Sequence, residues 1–165
     1  MNAEFLVEEI CNDKGFLAVY YNPSKPDHFF VGIPLKVTNN FLLLYLLSTD
    51  MHWGEVCLCS TKSVYRIEKN SMYLRQLSST FPEMTNYNFT DPWHECLQYA
   101  EVHNLVIRIT FFHKEKVLRG IPLQHTENGI TIKRINKKGE AGRIYNIDCS
   151  KVATLICEGT ILQNN

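Results

Sequence analysis

Cysteine and histidine are the side chains of this sequence best suited to chemistry, and the 165-residue chain has six of each. Cys57 and Cys59 are separated by one residue, so on a strand their side chains share a face. A zinc site would need further ligands at usable spacing, and the sequence has no CxxC and no HxxxH pair. We therefore predict two buried thiols that behave as apolar side chains, with no metal and no cofactor.

Nucleophilic catalysis would need a cysteine beside a histidine base, with a third group to orient that base. With six residues of each type, sequence spacing singles out no pair. The phosphate-binding patterns GxGxxG and Walker A are both absent. We predict that the protein is not an enzyme, and a thiol- or histidine-based enzyme ranks third among the functional hypotheses.

Basic residues are concentrated in the segment KRINKKGEAGR (133–143), which the sequence predicts to be a hairpin. Its five cations are Lys133, Arg134, Lys137, Lys138 and Arg143. The chain as a whole has zero formal charge. Two interpretations stay open: a solvated turn whose lysines protect an edge strand, which we favour, and a patch that binds the phosphates of RNA or another nucleic acid.

The matching hairpin of the first half has an apolar tip made of Met51, His52 and Trp53. An exposed tryptophan is a typical anchor of protein interfaces. Trp53 could equally fold back onto the neighbouring unit. We predict a protein interface at these three residues and keep the second interpretation open.

An internal duplication is indicated by two copies of Gly-Ile-Pro-Leu, which begin at Gly32 and Gly120, 88 residues apart. Shifting the chain by this offset places Leu17 on Leu105, and the alignment needs no gap from Leu17 to Leu74. Further identities are Thr38 with Thr126, Asn40 with Asn128, Gly54 with Gly142 and Val64 with Val152. Two β-rich halves can also match by chance, but the single register and the special backbone roles of glycine and proline favour a duplication.

Each predicted unit is a short helix followed by five short strands. The predicted strands are 16–21, 29–37, 41–47, 53–60 and 64–67, then 105–112, 116–124, 129–135, 141–147 and 151–156. Five short strands separated by turn-like segments indicate a small, strongly curved barrel. We predict a mainly β protein of two tandem five-stranded barrels, residues 1–78 and 92–165, joined by a linker at 79–91.

The second unit carries the stronger helix signal. Asp91 is a suitable cap and Pro92 suits the first helical position. Trp93, Cys96, Leu97 and Ala100 then fall on one face. Residues 3–12 form the weaker helix signal of the first unit.

Each unit has a helix and five bent strands, with one glycine in the second strand and another that opens the fourth. This order resembles the Sm and Sm-like superfamily, whose SH3-like barrels build RNA-binding rings. It is also similar to uncharacterised Firmicute or phage proteins with an Ile-Tyr-Arg-Ile run, which is Val-Tyr-Arg-Ile at 64–67 here. The slots of the uridine-binding residues hold Thr38 and Leu42, and Thr126 and Ile130 in the second unit. The Arg-Gly of the second Sm motif is Trp53-Gly54 here, and Ala141-Gly142 in the second unit. The resemblance implies the barrel framework and does not carry over the RNA pocket.

The N-terminus has no basic segment followed by a long apolar run, so we expect no secretory signal. The apolar run 41–47 is too short to span a bilayer as a helix. We therefore expect a cytoplasmic protein with reduced cysteines and no membrane partner. The predicted function is non-catalytic binding to an unidentified protein partner, and nucleic-acid binding through 133–143 is the alternative.

Overall fold

A computed structural model describes Leu6, Ile10 and residues 15–48, 53–77 and 89–158. The strands are β1 (Leu17–Tyr20), β2 (Phe29–Val37), β3 (Phe41–Leu47), β4 (Trp53–Ser60), β5 (Arg66–Glu68), β6 (Val106–Phe111), β7 (Lys114–Thr126), β8 (Gly129–Ile135), β9 (Ala141–Asp148) and β10 (Val152–Glu158). Helix α1 (Met72–Gln76) follows β5, helix α2 (Pro92–Val102) precedes β6, and 3-10 turns occupy Thr61–Ser63 and Cys149–Lys151. Leu6 and Ile10 are also helical. The prediction of a mainly β protein is confirmed.

The strands pair into one open antiparallel sheet of ten strands, in the order β5-β1-β2-β3-β4-β10-β6-β7-β8-β9. The first five positions hold the strands of the first half and the last five hold those of the second half. Pairing between β4 and β10 joins the halves, with Leu58 opposite Leu155. The two halves thus share one open sheet, and the closure of each half into a separate barrel stays a prediction.

Strand registers repeat between the halves at the offset of 88. Gly32 on β2 pairs with Leu46, and Gly120 on β7 pairs with Arg134. A bulge follows Pro34 in one half and Pro122 in the other. Proline cannot donate to a ladder, so a bulge is where a strand tolerates it.

The prediction that the two copies align without a gap is wrong for the first strand of each half. Leu17 pairs with Gly32, whereas Ile107 pairs with Gly120. Leu17 is therefore equivalent to Ile107, at an offset of 90, and not to Leu105. The first half reaches β2 through a loop with two prolines, while β6 and β7 are joined by the tight turn 112–113. The paired residues Ile107 and Gly120 are 120 − 107 = 13 positions apart, two fewer than the 32 − 17 = 15 between Leu17 and Gly32.

Two hydrophobic cores lie on opposite faces of β3, which is buried along its whole length. Leu42, Leu44 and Leu46 pack in the first-half core with Leu6 and Ile10. Phe41, Leu43 and Tyr45 pack in the second core, which contains α2 and the inward faces of β6, β8 and β10. A continuous apolar run is the expected sequence of a strand buried on both faces.

Helix α2 buries the face that the sequence predicts: Trp93, Cys96, Leu97 and Ala100 all lie in the second core. The Asp91 side chain caps the helix by accepting from the His94 N–H at 3.2 Å. Helix α1 was not predicted. Ser71 caps it, and it covers the outer side of the first half with Leu74.

The predicted linker lies largely outside the described residues, which omit 78–88. Its last part includes Phe89, which is buried in the second core. The domain limits at 78 and 92 therefore stay predictions. None of the described helices is long and apolar enough to cross a membrane.

Candidate functional site

The five predicted cations all lie on the hairpin of β8 and β9, and all five are exposed. The turn between these strands is held firmly by Asn136, whose side-chain oxygen accepts from the Lys138 and Glu140 N–H groups at 2.9 Å each. Gly139 takes the positive φ of 79° that the turn requires. These contacts fix the backbone conformation of the turn that carries Lys137 and Lys138.

Acidic groups of the hairpin are already engaged. The Glu140 carboxylate accepts from the Asn136 side-chain amide at 2.7 Å. Hydrogen bonds from the Ser150 side chain and from the Ser150 N–H, the latter at 2.9 Å, lower the pKa of the Asp148 carboxyl group. Within the described part of the chain, none of the five cations forms an ion pair. The hairpin thus carries net positive charge at its surface.

Among the described residues, two arginines outside the hairpin, Arg108 and Arg119, form ion pairs, unlike the five cations of the hairpin. Arg108 on β6 lies 2.9 Å from Glu55 on β4, so this ion pair crosses the junction between the halves. Arg119 makes two bonds to Glu158 on β10, at 2.8 and 2.6 Å. These guanidinium groups are neutralised within the sheet, whereas those on the β8–β9 hairpin are not.

Strand β9 forms one edge of the sheet and, among the described strands, pairs with β8 alone. The backbone N–H and C=O groups of successive residues point alternately toward β8 and toward the open side of β9. The Cys149 N–H donates to the Asn128 carbonyl at 2.9 Å, so the Cys149 groups point toward β8. In an antiparallel ladder this direction alternates from residue to residue. Ile144, Asn146 and Asp148 therefore direct their N–H and C=O groups to the open side.

The apolar tip predicted in the first half cannot be placed. Met51 and His52 lie outside the described residues. Trp53 is the first residue of β4, and its side chain is likewise outside the described part. The predicted protein interface at these three residues therefore stays a prediction.

Among the five cysteines that the structure describes, Cys149 is partly exposed and the other four are buried. Cys11 lies outside the described residues. Cys57 and Cys59 share the first-half core, as their spacing predicts. Burial raises the pKa of Cys59 to about 12, although its hydrogen bond with Ser63 acts in the opposite direction. Burial likewise raises the pKa of Cys157 to about 12. Since the thiolate is the nucleophile, these thiols are poorly suited to catalysis.

A chain of side chains between α2 and β7 was not expected from the sequence. The His125 Nδ1 lies 2.5 Å from a Glu101 carboxylate oxygen. The other ring nitrogen, Nε2, lies 2.9 Å from the His94 Nδ1. With the His125 Nδ1–H donating to the Glu101 carboxylate, the lone pair of Nε2 accepts a hydrogen bond from the His94 Nδ1–H. No nucleophile is hydrogen-bonded to either ring in the described residues, and the arrangement fastens α2 to β7.

The described residues contain no group of three or more His, Cys, Asp and Glu side chains placed to hold a metal ion. The metal-free state stays a prediction that metal analysis of the purified protein can check.

No protein-family model matches the chain, and the search of curated proteins gives no match. The resemblance to Sm-like proteins therefore rests on the residue pattern described above.

Proposed function

We propose that the protein is a non-catalytic binding protein that holds an extended segment of a partner protein along β9. The observation that carries this proposal is the open edge of that strand, with the outward backbone groups of Ile144, Asn146 and Asp148. An unpaired edge is a template for another strand. The Ile144 side chain, which is 61% exposed, adds apolar contact.

The junction inside the chain supports this mode of binding. At the offset of 88, β9 is equivalent to β4, and β4 holds β10 along the corresponding edge. Leu58 faces Leu155 there, and Val56 faces Cys157. The corresponding residues of β9 are Asn146 and Ile144.

A partner of another kind fits the open edge better than a second copy of this chain does. In the equivalent register, the β5 strand of a second copy would place Ile67 opposite Asn146 and Lys69 opposite Ile144. Each of these two pairs sets a polar side chain against an apolar one, whereas the corresponding pairs of the internal junction are apolar on both sides. The cations on the β8–β9 hairpin favour an acidic partner segment.

We also propose that each set of five strands curls into a small barrel of the Sm-like, SH3-like kind. The identical strand order in both halves and the bulges after Pro34 and Pro122 support this proposal. We further propose that the protein is located in the cytoplasm.

Replacing Asn146 with proline tests the binding mode. Proline removes an outward N–H without removing a bond to β8. Asn146→Ala is the matched control, because both variants lose the hydrogen bond from Thr131 to the Asn146 side chain. Affinity for a partner isolated from the native host should fall with Asn146→Pro and stay near wild type with Asn146→Ala. Equal affinities contradict strand addition, and loss with Trp53→Ala alone assigns the contact to the first-half tip.

Nucleic-acid binding is the second candidate, favoured by the five exposed cations without ion pairs on the β8–β9 hairpin. Such binding falls steeply as salt concentration rises. RNA affinity should then drop when Lys137 and Lys138 are both changed to glutamine. An acidic protein segment would also bind more weakly as salt rises, so the Asn146→Pro variant separates the two functions: it blocks strand addition along β9 and leaves the phosphate-binding cations in place.

A further inference from the structure

A groove of about 540 Å³ lies where the two halves meet. Its lining comes from the β1–β2 loop, the segment 62–65 and the β6–β7 hairpin 110–117. A pocket of about 500 Å³ shares Lys62 and residues 111–114 with the groove and continues to Lys151. Both volumes fall in the range of small-molecule sites. Neither half could form the groove alone.

The lining of the groove is aromatic. Phe111, Phe112 and Tyr65 are each partly buried, so they retain exposed ring surface. The Phe112 N–H donates to the Lys151 carbonyl at 3.1 Å, which ties the hairpin to the 3-10 turn before β10. His113, the second of the two turn residues, takes a positive φ of 59°, the left-handed conformation that many tight turns use. These contacts fix Phe112 beside the groove without using its ring.

The rim of the groove is cationic. Lys25, Lys62, Lys114 and Lys151 line the groove or the adjoining pocket, and all four are exposed. Among the described residues that line either cavity, Glu115 is the single acidic one. The Lys114 Nζ lies 6.0 Å from the centre of the Phe111 ring, so charge and ring surface occur side by side.

We propose that this groove binds a small planar aromatic anion. An aromatic ring stacks on the side chains of the floor, and its carboxylate or phosphate faces the lysines of the rim. Two sources share this chemistry: a nucleoside monophosphate and an aromatic carboxylate. The inference does not depend on partner binding at β9, which lies at the outer edge of the second half.

Calorimetric titration of the full chain with four probes tests the proposal. The anionic probes are AMP and 2-naphthoate, and adenosine and 2-naphthalenemethanol are their uncharged counterparts. At least one anion should bind at least about tenfold more tightly than its uncharged counterpart, and which anion binds identifies the source. Absence of binding by both anions at millimolar concentration overturns the proposal.

Variants then locate the site. Phe112→Leu keeps an apolar side chain and removes the ring, so affinity should fall about tenfold. Lys62→Gln with Lys114→Gln changes only exposed side chains and should weaken binding about fivefold. Lys137→Gln with Lys138→Gln removes the same charge from the distant β8–β9 hairpin and should leave affinity unchanged. Binding that ignores the groove variants, or that responds equally to the hairpin pair, contradicts the assignment.

Discussion

Gly32 and Gly120 occupy equivalent places in the two halves, each pressed against the backbone of the next strand. A Cβ atom at Gly32 would lie closer than 3.0 Å to the Tyr45 carbonyl oxygen, and one at Gly120 would be equally close to that of Lys133. Because the obstruction is backbone, no side-chain movement relieves it. This close approach explains why both copies of Gly-Ile-Pro-Leu begin with glycine.

Gly120→Ala should therefore destabilise the protein by about 1–3 kcal/mol, the usual cost of overpacking. Gly142→Ala is the matched control, since the nearest atom to a Cβ there is at the ordinary distance of 3.6 Å. We expect the control to stay within about 0.5 kcal/mol of wild type. Urea unfolding of both variants measures the difference, and equal stabilities contradict the steric explanation.

The contact between His125 and Glu101 should contribute to the docking of α2. His125→Ala leaves the partly buried Glu101 carboxylate without this bond, so we expect a loss of about 1–3 kcal/mol in the free energy of unfolding. His28→Ala changes an exposed histidine and serves as the control. If both variants unfold at the same urea concentration, the contact does not stabilise the fold.

Thiol labelling of the native protein should follow burial. Among the described cysteines, Cys149 should react first with an alkylating reagent, and Cys57, Cys59, Cys96 and Cys157 should react slowly. Peptide mass mapping after timed quenching gives the order, and labelling in denaturant provides the fully reactive reference. Rapid native modification of Cys59 or Cys157 would show that the cores are not closed as described.

Stability should decrease at alkaline pH because of the buried thiols. The pKa of Cys59 is about 12 in the folded protein and about 8.5 for an unfolded thiol. The folded value is the higher one, so this contribution is complete below about pH 8.5 and is lost as the pH rises toward 12. Between pH 8 and 10 the loss is ~2 kcal/mol for one such thiol. Cys59→Ser should lose correspondingly less stability over that interval, and an unchanged loss contradicts the assignment.

Local patterns in the sequence predict the strands and helix α2 well. Alternating side chains, turn residues and the cap at Asp91 are properties of neighbouring residues, so they identify β8 and the buried face of α2. The repeated proline likewise favours the bulge found in β2 and β7, because proline cannot donate to a ladder.

Contacts between distant segments were not predictable in this way. The pairing of β4 with β10 joins residues about 100 positions apart, and many registers satisfy their apolar sequences equally well. The offset of β1 is 90 and not 88, and the sequence does not show this because Leu17 matches an identical residue, Leu105, at the offset of 88. The bond between Glu101 and His125 and the aromatic groove depend on tertiary packing, and the only sequence signal for the groove is the pair Phe111 and Phe112 beside two lysines.

The most direct test of strand addition is hydrogen exchange at single amides of β9, measured by NMR with and without the partner. The account predicts that exchange at Ile144, Asn146 and Asp148 slows on complex formation, because their outward N–H groups become hydrogen-bonded. The amides of Tyr145 and Ile147 already point toward β8 and should change little. Unchanged exchange at all three outward amides in a saturated complex would contradict the proposed function.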